Sequence, residues 1–127
     1  MPMKNKSLYQ SFKCAFGGIF TAIREERNTK IHFAAALFVM VLGFLLGLSS
    51  VKLAILALTC GLVIACETIN TAIERIVDMV KPEYDERAKK IKDISAGAVL
   101  SAAITAAFVG IIFFGPVIIN FIIKLSF

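Results

Sequence analysis

The chain has 127 residues, is 58% hydrophobic and carries 14 basic against 9 acidic residues, a net charge of +5. Water-soluble domains are about 45–50% apolar, and so short a chain exposes too much surface to hide the excess. A soluble globule is therefore excluded. The charges flank apolar runs rather than forming one solvated basic face, so nucleic-acid binding is excluded as well.

Residues 7–24 place Leu8, Phe12, Ala15, Phe16, Ile19 and Ile23 at helical spacing, with Lys13 and Arg24 offset. That pattern predicts an amphipathic helix lying in the membrane surface, bent or interrupted at Gly17-Gly18. Residues 31–48 are apolar except for His32 and form the first transmembrane candidate. Gly43 and Gly47 have the small-xxx-small spacing that permits close helix approach.

The second span covers residues 53–73, with helical continuation to Asp78 and a stop before Lys81-Pro82. A charged linker follows, and Asp93 is expected to open a third spanning helix that runs to residue 123. Its start is rich in small residues that suit tight packing, and Gly115-Pro116 marks a kink or break. The expectation is an all-α membrane protein of one domain, with an N-terminal amphipathic surface helix at 7–24 and transmembrane helices at 31–48, 53–78 and 93–123.

Charge placement orients it. Lys4, Lys6, Lys13, Arg24, Arg27 and Lys30 precede the first span, and Arg75, Lys81, Arg87, Lys89, Lys90 and Lys92 lie between the second and third. Lys52 and Lys124 remain for the far side. The positive-inside bias puts the N-terminus and the 75–92 loop in the cytoplasm. No apolar h-region of a cleavable signal peptide is seen in the first 24 residues. Cys14, Cys60 and Cys66 lack ligand spacing and read as reduced, packed thiols. A single histidine excludes a zinc site built on several imidazoles.

Chemistry concentrates where the second apolar run ends. Residues 53–66 hold no charge, and then Glu67, Asn70, Glu74 and Asp78 follow at steps of three, four and four. At about 100° per residue these four fall within an arc of roughly 80° on one helix face. Acidic groups at a bilayer boundary cost free energy, which marks them as functional. The topology brings Glu25-Glu26, this face and Lys92-Asp93 to the same interface. Carboxylates with an amide and a lysine suit Mg²⁺ carrying phosphate groups, with a carboxylate to take a hydroxyl proton. Glu25 and Glu26 are equally placed rivals, and Lys92-Asp93 could equally snorkel or cap the helix. The chain lacks GxxxxGK[ST], GxGxxG, kinase HRD and DFG elements, and GxSxG. A small cation-coupled transporter and a non-catalytic scaffold subunit are the competing classes. The first is disfavoured because no acid lies in the outer half, and the second leaves the aligned polar face unexplained.

The run ETINTAIERIVD (67–78) resembles the signature of the prokaryotic diacylglycerol kinase family, which includes the undecaprenol kinases. KIKDISAGAVL and EERN resemble two further segments of that family at the expected places. The resemblance covers most of the chain and implies a Mg²⁺-dependent lipid kinase using ATP as co-substrate. It implies Glu67 as the general base and Asn70 as an orienting group, with Glu26 and Glu74 holding the cation. Lys92 would contact the phosphates and Asp93 the nucleoside, with Asp78, Glu83, Tyr84 and Asp85 along the nucleotide. It also implies a homotrimer with active sites shared between subunits. Cys14 stands where diacylglycerol-specific members carry an aromatic residue. ERNTKIH is similar to members that phosphorylate undecaprenol, which makes that lipid the expected substrate and diacylglycerol the alternative.

Overall fold

A computed structural model describes residues 7–127; Lys4 and Lys6, two of the charges used to orient the chain, lie outside them. The described residues form four helices and no strand: α1 (Leu8–Glu25), α2 (Arg27–Leu45), α3 (Ser50–Val80) and α4 (Glu86–Ser126). The last three are long and apolar enough to cross a membrane. This is the all-α membrane architecture expected from the sequence.

Helix α1 opens on a capping box. Ser7 Oγ accepts from the Gln10 amide at 3.2 Å, and the Ser7 amide donates back to Gln10 Oε1 at 3.1 Å. The helix runs unbroken through Gly17-Gly18, and no heavy atom lies within 4 Å of a Cβ built at either glycine. The glycines therefore neither interrupt α1 nor admit a close neighbour. Only Ala22 is buried on α1, while Leu8, Phe12, Phe16 and Phe20 stay exposed. An uncovered aromatic and aliphatic stripe of this kind suits the acyl boundary of a bilayer. Cys14 lies on this exposed helix rather than in a packed core, while Cys60 and Cys66 are half-buried.

Glu26 takes extended backbone angles (φ −111°, ψ 120°) and so separates α1 from α2. Helix α2 ends in a Schellman turn. The Leu48 amide donates to Gly43 O at 3.0 Å and the Gly47 amide to Phe44 O at 3.1 Å. Gly47 has φ +73°, the left-handed region that glycine enters without strain. The two glycines do not act as a packing pair: Gly47 makes the turn, and Gly43 alone is wedged against Leu48, Leu53 and Leu56. Ser49 then caps α3 by accepting from the Lys52 amide.

Helix α3 buries Leu56, Thr59, Val63, Glu67, Asn70, Thr71 and Val77. The polar residues from Glu67 onward thus continue the face that carries the apolar core. Helix α4 begins at Glu86, not at Asp93, because Asp85 caps it by accepting from the Arg87 and Ala88 amides at 2.8 and 3.2 Å. It passes through Pro116 as one helix, although proline cannot donate to the preceding turn. At 1.5 Å rise per residue α3 and α4 are roughly 46 and 61 Å long, longer than a hydrocarbon core of about 30 Å. Both therefore project beyond it, with the α3 end and the α4 start forming a charged promontory on one side.

Candidate active site

Burial falls steadily along the polar face of α3. Glu67 is 3% exposed and Asn70 7%, Glu74 is half-buried, and Asp78 is exposed. Glu67 Oε2 lies 3.9 Å from Nε2 of His32 on α2. The other charges that act on it belong to Glu74 and Glu26. Asn70 Nδ2 donates to Glu74 Oε1 at 3.4 Å, whereas buried Asn70 Oδ1 has no hydrogen-bond partner. Three of the four residues aligned by spacing therefore stay together as a line. Asp78 turns to α4 instead, where Lys92 Nζ donates to its Oδ1 at 2.5 Å.

Glu26 reaches α3 through Arg75. The Arg75 Nη2 atom lies 2.6 Å from Glu25 Oε2 and 3.4 Å from Glu26 Oε1, so the α1–α2 junction is fastened beside Glu74. The tie separates two residues that spacing left equivalent, since Glu25 holds the guanidinium closely and Glu26 only loosely. Among the described residues no three His, Cys, Asp or Glu side chains are gathered closely enough to hold a metal ion unaided. A hard cation that completes its shell with phosphate oxygens needs only one or two carboxylates. The unpartnered Asn70 Oδ1, an acceptor beside Glu74, fits such a site.

The promontory holds a crevice of about 220 Å³ lined by Asp78, Lys81, Glu83, Tyr84, Asp85 and Lys92, among others. It gathers all the residues that resemblance assigned to the nucleotide except Asp93, which pairs with Lys89 at 2.7 Å. Tyr84 is 81% exposed, free to stack on a planar ring. Glu83 is held below the usual carboxylate range chiefly by Lys81, 3.0 Å away. Asp85 is held low by the amides of Ala88 and then Arg87. Both acids thus stay ionised in the crevice.

On the membrane side of Glu67 the surroundings are different. A cavity of about 310 Å³ runs between α2, α3 and α4, lined by His32, Ala36, Val39, Val63, Ala103, Ala107 and Gly110 among others. Small residues on α4 leave this space open. Along α3 the order outward is thus an apolar groove, the buried carboxylate of Glu67 and then the charged crevice. Sequence reasoning missed His32 and Arg75 as parts of it. His32 was detectable only as a polar interruption of an apolar run, and Arg75 only as a cation next to Glu74.

The family model for prokaryotic diacylglycerol kinase matches residues 13–114. The chain is 44% identical over 105 residues to a diacylglycerol kinase of Synechocystis sp., an alignment covering 82% of this chain and 60% of that protein. It is 39% identical over 108 residues to an undecaprenol kinase of Bacillus subtilis, covering 85% of this chain and 88% of the relative. To a diacylglycerol kinase of Escherichia coli it is 33% identical over 89 residues, covering 70% and 73%. Three apolar helices together with a match over most of the length make this a bacterial membrane protein, and the chain belongs to the prokaryotic diacylglycerol kinase family.

Proposed function

We propose that this chain is a single membrane unit that transfers the γ-phosphate of ATP to the terminal hydroxyl of a membrane lipid, undecaprenol first and diacylglycerol as the alternative. The observation that carries this reading is the depth of Glu67, a buried carboxylate between an apolar groove and a charged crevice. A long-chain alcohol leaves the bilayer only at about 0.8 kcal/mol per CH₂, and ATP does not enter it. The reacting atoms must therefore meet at the boundary.

Glu67 is the general base that takes the hydroxyl proton as the oxygen attacks. Asn70, one turn outward, orients the reacting groups through its unpartnered Oδ1. Glu74 and Glu26 are the residues to hold Mg²⁺, which when bound offsets the charge of the phosphates. Lys92 contacts the phosphates once it exchanges its Asp78 partner, and Asp93 serves the nucleoside side. Asp78, Glu83, Tyr84 and Asp85 flank the nucleotide. The basic residues of α1 and of 75–92 support a cytoplasmic N-terminus and loop. Assembly into a homotrimer belongs to the same proposal and rests on the family resemblance.

The test is transfer from radiolabelled ATP by the purified protein in vesicles, using a panel of lipid alcohols with and without Mg²⁺. Glu67→Gln keeps the shape and should cut turnover about 10²–10⁴-fold, with the helical fold intact by circular dichroism. A near-normal rate in that variant refutes the base assignment.

A further inference from the structure

Resting on that reading, we propose that His32 is a substrate-contacting residue, its Nε2–H donating to the lipid hydroxyl whose proton Glu67 accepts. Three observations lead there. The first is the gap of 3.9 Å between Nε2 and Glu67 Oε2. It is too long for a hydrogen bond, whose heavy atoms stand about 2.8–3.0 Å apart. One oxygen at such a distance from both atoms would subtend nearly a right angle, within the range that a hydroxyl accepting one bond and donating another adopts.

The second is the position of His32 on the cavity, whose lining is otherwise apolar apart from Thr59, which donates to its own helix, and Cys60. The imidazole is the one ionisable ring in that lining. A hydrocarbon chain laid in the groove would bring its polar end to His32. The groove that reaches His32 suits a chain bearing a terminal alcohol.

The third concerns hydrogen-bonding capacity. Three hydroxyls in the spans are satisfied by their own helix: Thr59 donates to Ile55 O at 2.7 Å, Thr68 to Ile64 O at 2.8 Å and Thr105 to Ser101 O at 3.0 Å. Thr29 Oγ1, Asn70 Oδ1 and, on α4, Ser95 Oγ are not, though all three residues are more than nine-tenths buried. Thr29 precedes His32 by three residues and Asn70 follows Glu67 by three, so each shares a helix face with its neighbour. Unused polar capacity thus flanks the His32–Glu67 gap on the side from which a phosphoryl donor would approach.

In the step this implies, the lipid oxygen forms a bond to the γ-phosphorus as the bond from that phosphorus to the β–γ bridging oxygen breaks and ADP leaves. The hydroxyl proton passes to Glu67. His32 neither gains nor loses a proton; it fixes the oxygen so that one lone pair faces the incoming phosphorus.

The chain has one histidine, so a ¹⁵N spectrum of the protein in nanodiscs contains one imidazole. Titration with farnesol, a short prenyl alcohol, should move its Nε2 resonance, while the matching hydrocarbon, with no oxygen to accept from Nε2–H, should not. His32→Ala should lower kcat/KM for the lipid on the order of tenfold, the cost of one hydrogen bond to substrate, with KM for ATP unchanged. His32→Gln, which retains an N–H donor, should recover part of that loss. An Nε2 resonance indifferent to the alcohol, or a lipid kcat/KM in His32→Ala within twofold of wild type, overturns the proposal. If the resonance responds to the alcohol while the wild type transfers no phosphate to any lipid, the contact stands and the kinase reading falls.

Discussion

Gly43 offers a quantitative check on how closely α2 and α3 approach. A Cβ at this position would meet Leu48 Cδ1 at 3.1 Å, Leu53 Cδ2 at 3.2 Å and Leu56 Cδ2 at 3.4 Å. Carbon pairs rest at about 3.5–4.0 Å, so each leucine must retreat by a few tenths of an ångström. All three contacts are with the ends of flexible side chains, which places the strain at the low end of the 1–3 kcal/mol typical of an added methylene, about 1 kcal/mol. Replacing glycine by alanine in a helix interior returns about 1 kcal/mol. Gly43→Ala should therefore lie within about 1 kcal/mol of wild type. Gly43→Val pushes two further methyl groups into the same leucines without a comparable gain in propensity, and should cost about 2–3 kcal/mol. Reversible unfolding in mixed micelles, followed by circular dichroism, measures both. A valine variant as stable as wild type would show that the helices do not meet at Gly43. Activity adds a second reading, because His32 lies eleven residues before Gly43, roughly 16 Å along α2. A wedge at Gly43 tilts that whole length, so the valine variant should lose transfer rate while the alanine variant keeps it.

Two further outcomes follow from the charged end of the molecule. Glu25 holds Arg75 at 2.6 Å and leaves Glu26 at 3.4 Å, so removing Glu25 should send the guanidinium to Glu26 and make it compete with the cation. Binding of Mn²⁺, read by electron paramagnetic resonance in the presence of a non-hydrolysable ATP analogue, should rank wild type above Glu25→Gln and that variant above Glu26→Gln. The reverse order of the two variants would assign the cation to Glu25. Asp85, the α4 cap, has its pKa lowered by the amides of Ala88 and Arg87. Its stabilisation is complete above the unfolded aspartate pKa and is lost as pH falls through the lower folded value. Amide exchange at residues 86–89 should therefore accelerate in acid beyond its intrinsic pH trend in wild type, and Asp85→Ala should be fast already at neutral pH. Equal protection in the two proteins at neutral pH would remove Asp85 as the cap.

Features that depend on one helix were legible in the chain. The line of Glu67, Asn70 and Glu74 follows from spacing alone, and its depth follows from the fourteen uncharged residues before it. Helix ends were harder, because they depend on small competitions. Asp93 and Asp85 can each cap a helix, and the structure uses Asp85 because no helix breaker lies between it and Asp93. Gly17-Gly18 weakens a helix that the flanking residues nevertheless carry through. Partners across helices were illegible. Nothing in the spacing says that Asp78 meets Lys92 or that Arg75 meets Glu25, since these pairs depend on how α3 is rotated against α4 and against the α1–α2 junction.

The same dependence explains why His32 could not be assigned from the chain. Its approach to Glu67 is set by the connection between α2 and α3, whose geometry rests on Gly47 at φ +73° and on the cap at Ser49. One residue more or less there would rotate one helix by about 100° relative to the other, and His32 would face lipid. The Schellman turn fixes that rotation, and the bare backbone at Gly43 fixes the separation. Two glycines at the far end of the hairpin thus determine whether an imidazole and a carboxylate share one oxygen at the near end. Chemistry at this boundary is therefore sensitive to substitutions well outside the polar face, and loss of activity at Gly43 or Gly47 would not by itself place either residue in the site.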